Sequence, residues 1–179
     1  VCDDPAPLAV VNGRPSYINA LDALRGWQLV RDLKQALDKP AAASMKHVSP
    51  AGAAVAGELT PELRQAHFYP DATLSPIATA YAKARSSDRQ ASFGDFIAVS
   101  EHVDRSLAEL IKPEVSDGII APGYNDEARA LLAEKKGGGY VMFQMDPDHA
   151  PPATESRAEM GLRLEQSVND ATIDRNLLS

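Results

Sequence analysis

From Ile18 onward, Leu21, Leu24, Trp27, Val30, Leu33 and Leu37 recur at spacings of three and four, which places them on one face of a long helix. Trp27 belongs to that series and reads as core rather than as a ligand contact. Asp38-Lys39-Pro40 stops the helix. The small-residue run Ala41-Ala42-Ala43 leading into Met45 then reads as a buried strand whose lack of bulk lets helices pack closely. Ahead of the helix, Leu8 to Val11 is a β-prone run closed by the turn pair Asn12-Gly13. Phe96 to Val99, Gly118 to Ala121 and Tyr140 to Met145 are further apolar runs of strand length.

Polar and proline positions punctuate these runs. Ser49-Pro50, Thr60-Pro61 and Ser75-Pro76 each join an N-cap acceptor to a residue whose fixed φ suits the first helical position, so each predicts a helix start. The helix from Pro76 is expected to run to about Arg85, before Ser86-Ser87-Asp88. Asp104 predicts a cap for a helix through Leu110, ended by Pro113, and another helix is expected from about Asp126 to Glu134, stopped by Gly137-Gly138-Gly139. Asp146 to Pro152 reads as a polar loop. Beyond it, Met160, Leu162 and Leu164 alternate with Gly161, Arg163 and Glu165, as in a half-exposed edge strand. Strands alternating with helices predict one layered α/β domain over residues 1–179. Helices are expected on both faces of a mixed, largely parallel sheet with an antiparallel edge. No internal repeat is present.

Composition narrows the class. A chain of 179 residues, 44% apolar and 24% charged, suits one globular domain with a sizeable core. A formal net charge of -7 argues against a general nucleic-acid binder, which needs surplus Lys and Arg to displace counterions. With Cys2 as the only cysteine, no disulfide and no cysteine-based zinc site can form within the chain, as fits a reducing cytosol. No stretch approaches the roughly 20 consecutive apolar residues of a spanning helix, and Val1-Cys2-Asp3-Asp4 lacks a signal-peptide layout. A cytoplasmic protein without membrane partners is expected.

The candidate chemistry lies in Lys46-His47, Ser92-Phe93-Gly94-Asp95-Phe96 and Ser116-Asp117-Gly118. In parallel α/β sheets ligands bind at the carboxyl ends of strands, where Lys46-His47, Phe93-Gly94 and the Pro122-Gly123 turn are expected; Asp117 starts its run. Neighbouring strand side chains point to opposite faces, so Lys46 and His47 can serve one reacting centre only if the backbone turns there, as Val48-Ser49-Pro50 permits. A neutral imidazole can take a proton from a weakly acidic amine while an adjacent ammonium stabilises an oxyanion, a pairing that suits acyl or formyl transfer. A helix starting at Pro50 would add unpaired backbone N–H groups. Each feature also has a plainer reading. A strand-end His is commonly structural, Gly94 and Gly118 read equally as close-packing or bulge glycines, and Asp117 is a natural turn former. His67, His102 and His149 lack metal-ligand spacing and read as solvated.

The blocks Val11-Asn12-Gly13, Ile18-Asn19 with Leu21-Asp22-Ala23 and Trp27-Gln28-Leu29-Val30, Lys46-His47-Val48-Ser49-Pro50-Ala51-Gly52, Ser92 to Phe96 and Ser116 to Tyr124 together resemble a known family. It is the AICAR transformylase domain of the AICAR transformylase/IMP cyclohydrolase family, and the Lys-His-Val-Ser-Pro-Ala-Gly wording is similar to its eukaryotic-type branch. The resemblance covers nearly the whole chain and implies a cytidine-deaminase-like α/β/α unit, the first of two. It implies formyl transfer from the co-substrate 10-formyltetrahydrofolate to the 5-amino group of AICAR, giving FAICAR in purine (IMP) biosynthesis, without a metal. On matching positions it implies His47 as the base and Lys46 as the oxyanion stabiliser. Asn19, Gly94 and Asp117 are implied to line the nucleotide pocket, with Phe93, Asp95 and Gly118 as close neighbours. It also implies a homodimer with sites built across the subunits.

The chain departs from the family pattern in length. The family's Arg-Tyr-Gly segment, second unit and cyclohydrolase domain have no counterpart between Val1 and Leu177-Leu178-Ser179, so a fragment, incomplete alone, is expected. The alternative is a truncated non-catalytic nucleotide-binding or structural module of the same fold.

Overall fold

The computed structural model describes residues 6–70, 72–168 and 171. Its strands are β1 (Leu8–Asn12), β2 (Ala41–Lys46), β3 (Ser49–Val55), β4 (Asp95–Val99), β5 (Ser116–Ala121), β6 (Val141–Met145), β7 (Thr154–Glu159) and β8 (Leu162–Ser167). The α-helices are α1 (Tyr17–Leu37), α2 (Pro61–His67), α3 (Pro76–Ser86), α4 (Arg105–Ile111) and α5 (Asp126–Ala133). Val1-Cys2-Asp3-Asp4 and Leu177-Leu178-Ser179 lie outside the described residues.

Alternate residues of the central strands face opposite layers, and the apolar clusters divide accordingly. Ala42, Ile97, Val99, Ile119, Ala121 and Met142 pack with α3, α4 and α5. Ala43, Met45, Phe96, Ala98, Ile120 and Phe143 pack with Ala23, Trp27 and Val30 of α1. The sheet has the order β1-β6-β5-β4-β2-β3. Its parallel centre is β4, β5 and β6, joined through α4 and α5. β1 pairs antiparallel with β6, and β2 runs antiparallel to both β4 and β3. The three-layer α/β architecture is thus as expected, with antiparallel strands extending inside the edge.

Two sequence expectations fail for identifiable reasons. Ser49-Pro50 opens strand β3, not a helix. Proline is tolerated on an edge strand and at a bulge, and β3 offers both: it is the outer strand, and its register with β2 shifts between Ser44 and Met45. The Ala51-Gly52-Ala53-Ala54 run lets α3 lie directly on β3; a Cβ on Gly52 would stand 2.1 Å from the Ala84 carbonyl oxygen. Met160, Leu162 and Leu164 likewise do not form an edge of the main sheet. β7 and β8 pair with each other as a separate hairpin turning at Met160-Gly161, both at positive φ, and β8 is exposed throughout.

Trp27 is buried, as the helical spacing predicts, but the buried face of α1 is Asp22, Ala23, Gly26, Trp27 and Val30. Leu24 and Ile18, part of the apolar series, are exposed. Gly26 accounts for this rotation of the face: a Cβ there would lie 2.7 Å from Ala98 Cβ, so α1 sits too close to β4 for a larger residue. Among the described residues no helix is long and apolar enough to cross a membrane, and no cluster of His, Cys, Asp and Glu is placed to hold a metal ion.

Candidate active site

Because β2 runs antiparallel to β4, its last residues stand beside the start of β4, with Met45 opposite Phe96. The starts of β4 and β5 are level, Phe96 with Gly118, and Gly118 is level with Val141 at the start of β6. Lys46-His47 and Phe93-Gly94 therefore line the amino end of the parallel strands, not the expected carboxyl end, together with Asp117-Gly118, which the sequence already placed at the start of its run. Pro122-Gly123 lies at the opposite end, where the His102 ring covers Gly123. For Lys46-His47 the expectation fails because β2 runs antiparallel to β4, which sets its carboxyl end beside the amino end of β4; Phe93-Gly94 precede β4 and stand at its amino end whatever the direction of β2.

Lys46 pairs with Ser49, which leaves His47 and Val48 as a two-residue hairpin loop. Their φ values of 50° and 65° are those of a type I′ turn, whose twist matches the flanking strands. The turn that a shared Lys-His centre requires is therefore present, one residue earlier than Val48-Ser49-Pro50 suggested. Such conformations cost non-glycine residues about 1–3 kcal/mol each, and Val48 is β-branched. The strand ladder holds one side of the turn. On the other, the buried Asp22 carboxylate of α1 accepts the Val48 amide at 2.6 Å. His47 is exposed.

The Lys46 side chain reaches the neighbouring loop, where Nζ donates to Phe93 O at 3.1 Å and Gly94 O at 2.9 Å. Gly94 has φ 72°, and a Cβ there would lie 3.2 Å from Lys46 Nζ. A polar network is buried under this clamp. Ser44 Oγ donates to Asp95 Oδ2 at 2.6 Å and to Ser92 Oγ at 2.8 Å, tying β2 to the start of β4 and the turn before it. Arg85 Nη1 pairs with Asp95 Oδ1 at 2.8 Å, and Glu114 accepts from Arg89 and lies 3.1 Å from Arg85 Nε. Burial raises the Asp95 carboxyl above its ordinary value, against the pull of Arg85 and Ser44.

The remaining candidate residues serve the same end of the sheet in different ways. Asp117 is exposed and pairs with Lys136 at 2.7 Å. Gly118 is a close-packing glycine, since a Cβ would stand 2.6 Å from both the Phe96 ring and Val141 O. Asn19 forms a capping box with Ser16 at the start of α1. Phe93 is 65% exposed at the rim. His67 and His149 are half-buried and His67 packs near Tyr69. Ser44, Arg85, Glu114, Lys136 and the contact of Asp22 with the Val48 amide escaped the sequence reading. A serine inside a fully apolar strand run and an arginine inside the alanine-rich α3 were the available signals, since buried polar groups need partners.

Comparison with known proteins bears on this arrangement. The family model described as AICARFT/IMPCHase bienzyme matches residues 4–179. The chain is 30% identical over 159 residues to the Bifunctional purine biosynthesis protein PurH of Cereibacter sphaeroides (strain ATCC 17029 / ATH 2.4.9), covering 89% of this chain and 26% of that protein. It is 29% identical over 170 residues to the protein of the same name from Sinorhizobium medicae (strain WSM419), covering 94% and 28%. The chain thus spans about a quarter of the length of these curated relatives. Among solved structures, dCMP deaminase from the cyanophage S-TIM5 aligns with a TM-score of 0.43 and 10% identity over 72% of this chain and 97% of that one. With a family model matching almost every residue from Asp4 onward, the chain belongs to the AICARFT/IMPCHase bienzyme family.

Proposed function

We propose that this chain acts in purine biosynthesis by supplying the Lys-His pair for formyl transfer from 10-formyltetrahydrofolate to the 5-amino group of AICAR. The observation that carries the reading is the Lys46 clamp beside the His47 turn. An ammonium has three N–H donors; Phe93 O and Gly94 O take two, which leaves one for an incoming oxygen. In the proposed step the AICAR amine attacks the formyl carbon, and Lys46 stabilises the resulting oxyanion. His47, exposed in the adjoining turn, takes the amine proton. Collapse of the intermediate breaks the bond to the folate nitrogen, which takes the proton held by His47 and leaves as tetrahydrofolate. Phe93 offers an exposed aromatic face for the imidazole, and Asp117 and Asn19 lie at the same end of the sheet for polar contacts.

Because the relatives are several times longer, groups from a second α/β unit and from a partner subunit are proposed to complete the site. The test is formyl transfer by this chain with and without the complementary C-terminal half of the family enzyme. Activity that appears on complementation and disappears in His47→Ala is the expected result. Absence of transfer in both conditions, with AICAR still bound, would replace this reading by a nucleotide-binding module.

A further inference from the structure

We propose that Asp22 is a positioning residue for His47, acting through the backbone amide of Val48. The inference rests on the reading of His47 as the base and goes beyond it by naming what holds that base in place. Asp22 is 7% exposed, and among the described residues no cation pairs with its carboxylate. Its hydrogen-bond donor is the Val48 amide, at 2.6 Å. A polar side chain held this far from solvent has a reason to be there, and its partner in the turn names the place to look.

The turn supplies that reason. His47 and the β-branched Val48 both sit at positive φ, where the glycine or asparagine usual in such turns is absent. A strained turn persists only where its surroundings over-determine it. The ladder fixes Lys46 and Ser49 from the strand side, and Asp22 fixes the Val48 amide from α1. Releasing that amide frees His47 to leave the geometry set beside the Lys46 clamp. Asn19, one helical turn earlier on the same face of α1, would stay in place, so substrate binding and base positioning are separable.

The test compares Asp22→Ala, Asp22→Asn and the double variant Asp22→Ala with Val48→Gly. In the 179-residue chain, Val48 amide exchange and the His47 imidazole signals are followed by NMR; in the complemented enzyme, kcat and KM for AICAR are measured. Asp22→Ala is expected to speed Val48 exchange and lower kcat on the order of 100-fold with KM within about 2-fold, as for a misplaced catalytic group. Asp22→Asn keeps an acceptor oxygen and is expected to retain most of the activity. Val48→Gly adopts positive φ without strain and should recover about 10-fold of the loss in kcat.

The proposal is overturned if Asp22→Ala leaves both Val48 exchange and kcat at wild-type values. It is also overturned if Asp22→Asn is as damaging as Asp22→Ala, or if Val48→Gly restores nothing in a folded protein. Should Asp22→Ala not fold, the asparagine and double variants decide. Should the wild-type complemented enzyme show no transfer, the functional reading fails, while Val48 exchange and the His47 signals still decide the positioning claim.

Discussion

Gly94 and Gly118 are both glycines for steric reasons, but the reasons differ. At Gly94 the backbone is left-handed and the space where a Cβ would go faces Lys46 Nζ at 3.2 Å. Gly94→Ala is therefore expected to cost about 1–2 kcal/mol and to weaken the Lys46 clamp. At Gly118 the obstacle is the Phe96 ring together with the Val141 carbonyl, and Gly118→Ala is expected to cost about 1–3 kcal/mol by overpacking while leaving Lys46 in place. Denaturant unfolding gives the stabilities, and the NMR signal of the Lys46 ammonium separates the two cases. A Lys46 signal disturbed equally by both substitutions would contradict this division.

At the scale of elements, a buried polar network joins β2 to Asp95, the first residue of β4, and to Ser92 in the turn before it. Removing Asp95 leaves Arg85, at 2% exposure, without its nearest carboxylate. Asp95→Ala is accordingly expected to destabilise the chain by about 3–5 kcal/mol, read from urea midpoints. The same carboxyl has a pH signature. Burial raises it above its usual 3.8, so over a window beginning near 3.8 the folded chain holds a proton that the unfolded chain has released. Its contribution to stability falls as pH rises through that window and is flat above it. The stability difference between wild type and Asp95→Asn should decline with rising pH there; a difference that rises with pH would contradict the shift. The elements themselves were unevenly legible. α3, β4 and β5 follow from local periodicity and caps that the tertiary structure leaves intact, whereas α1 forms as the spacing predicts but turns Ile18 and Leu24 outward, since Gly26 sets its close approach to β4. β3 was hidden because the Ser-Pro signal is local, whereas the pairing with β2 and the close approach of Ala84 to Gly52 are not.

For the whole molecule, strand direction decides where the candidate site lies. The five sequence blocks pointed to candidate residues and to the family, but not to the reversal of β2, which brings Lys46-His47 to the amino end of the parallel strands beside Phe93-Gly94 and Asp117. Partner strands distant in sequence set that direction, and no single-residue pattern encodes it. The β7–β8 hairpin stands outside the main sheet, and isolated hairpins are marginal in water. Its amides are expected to exchange well before those of β4, β5 and β6, as hydrogen exchange would show. Equal protection across both sheets would contradict that separation.

The central claim is that Lys46 and His47 act together at the hairpin end of β2. Single-turnover formyl transfer in the complemented enzyme tests it most directly, comparing wild type with Lys46→Ala and His47→Ala while AICAR affinity is measured in parallel. The account predicts losses on the order of 100-fold or more for each variant, with His47→Ala still binding AICAR within about 3-fold. Transfer by His47→Ala at the wild-type rate would contradict it.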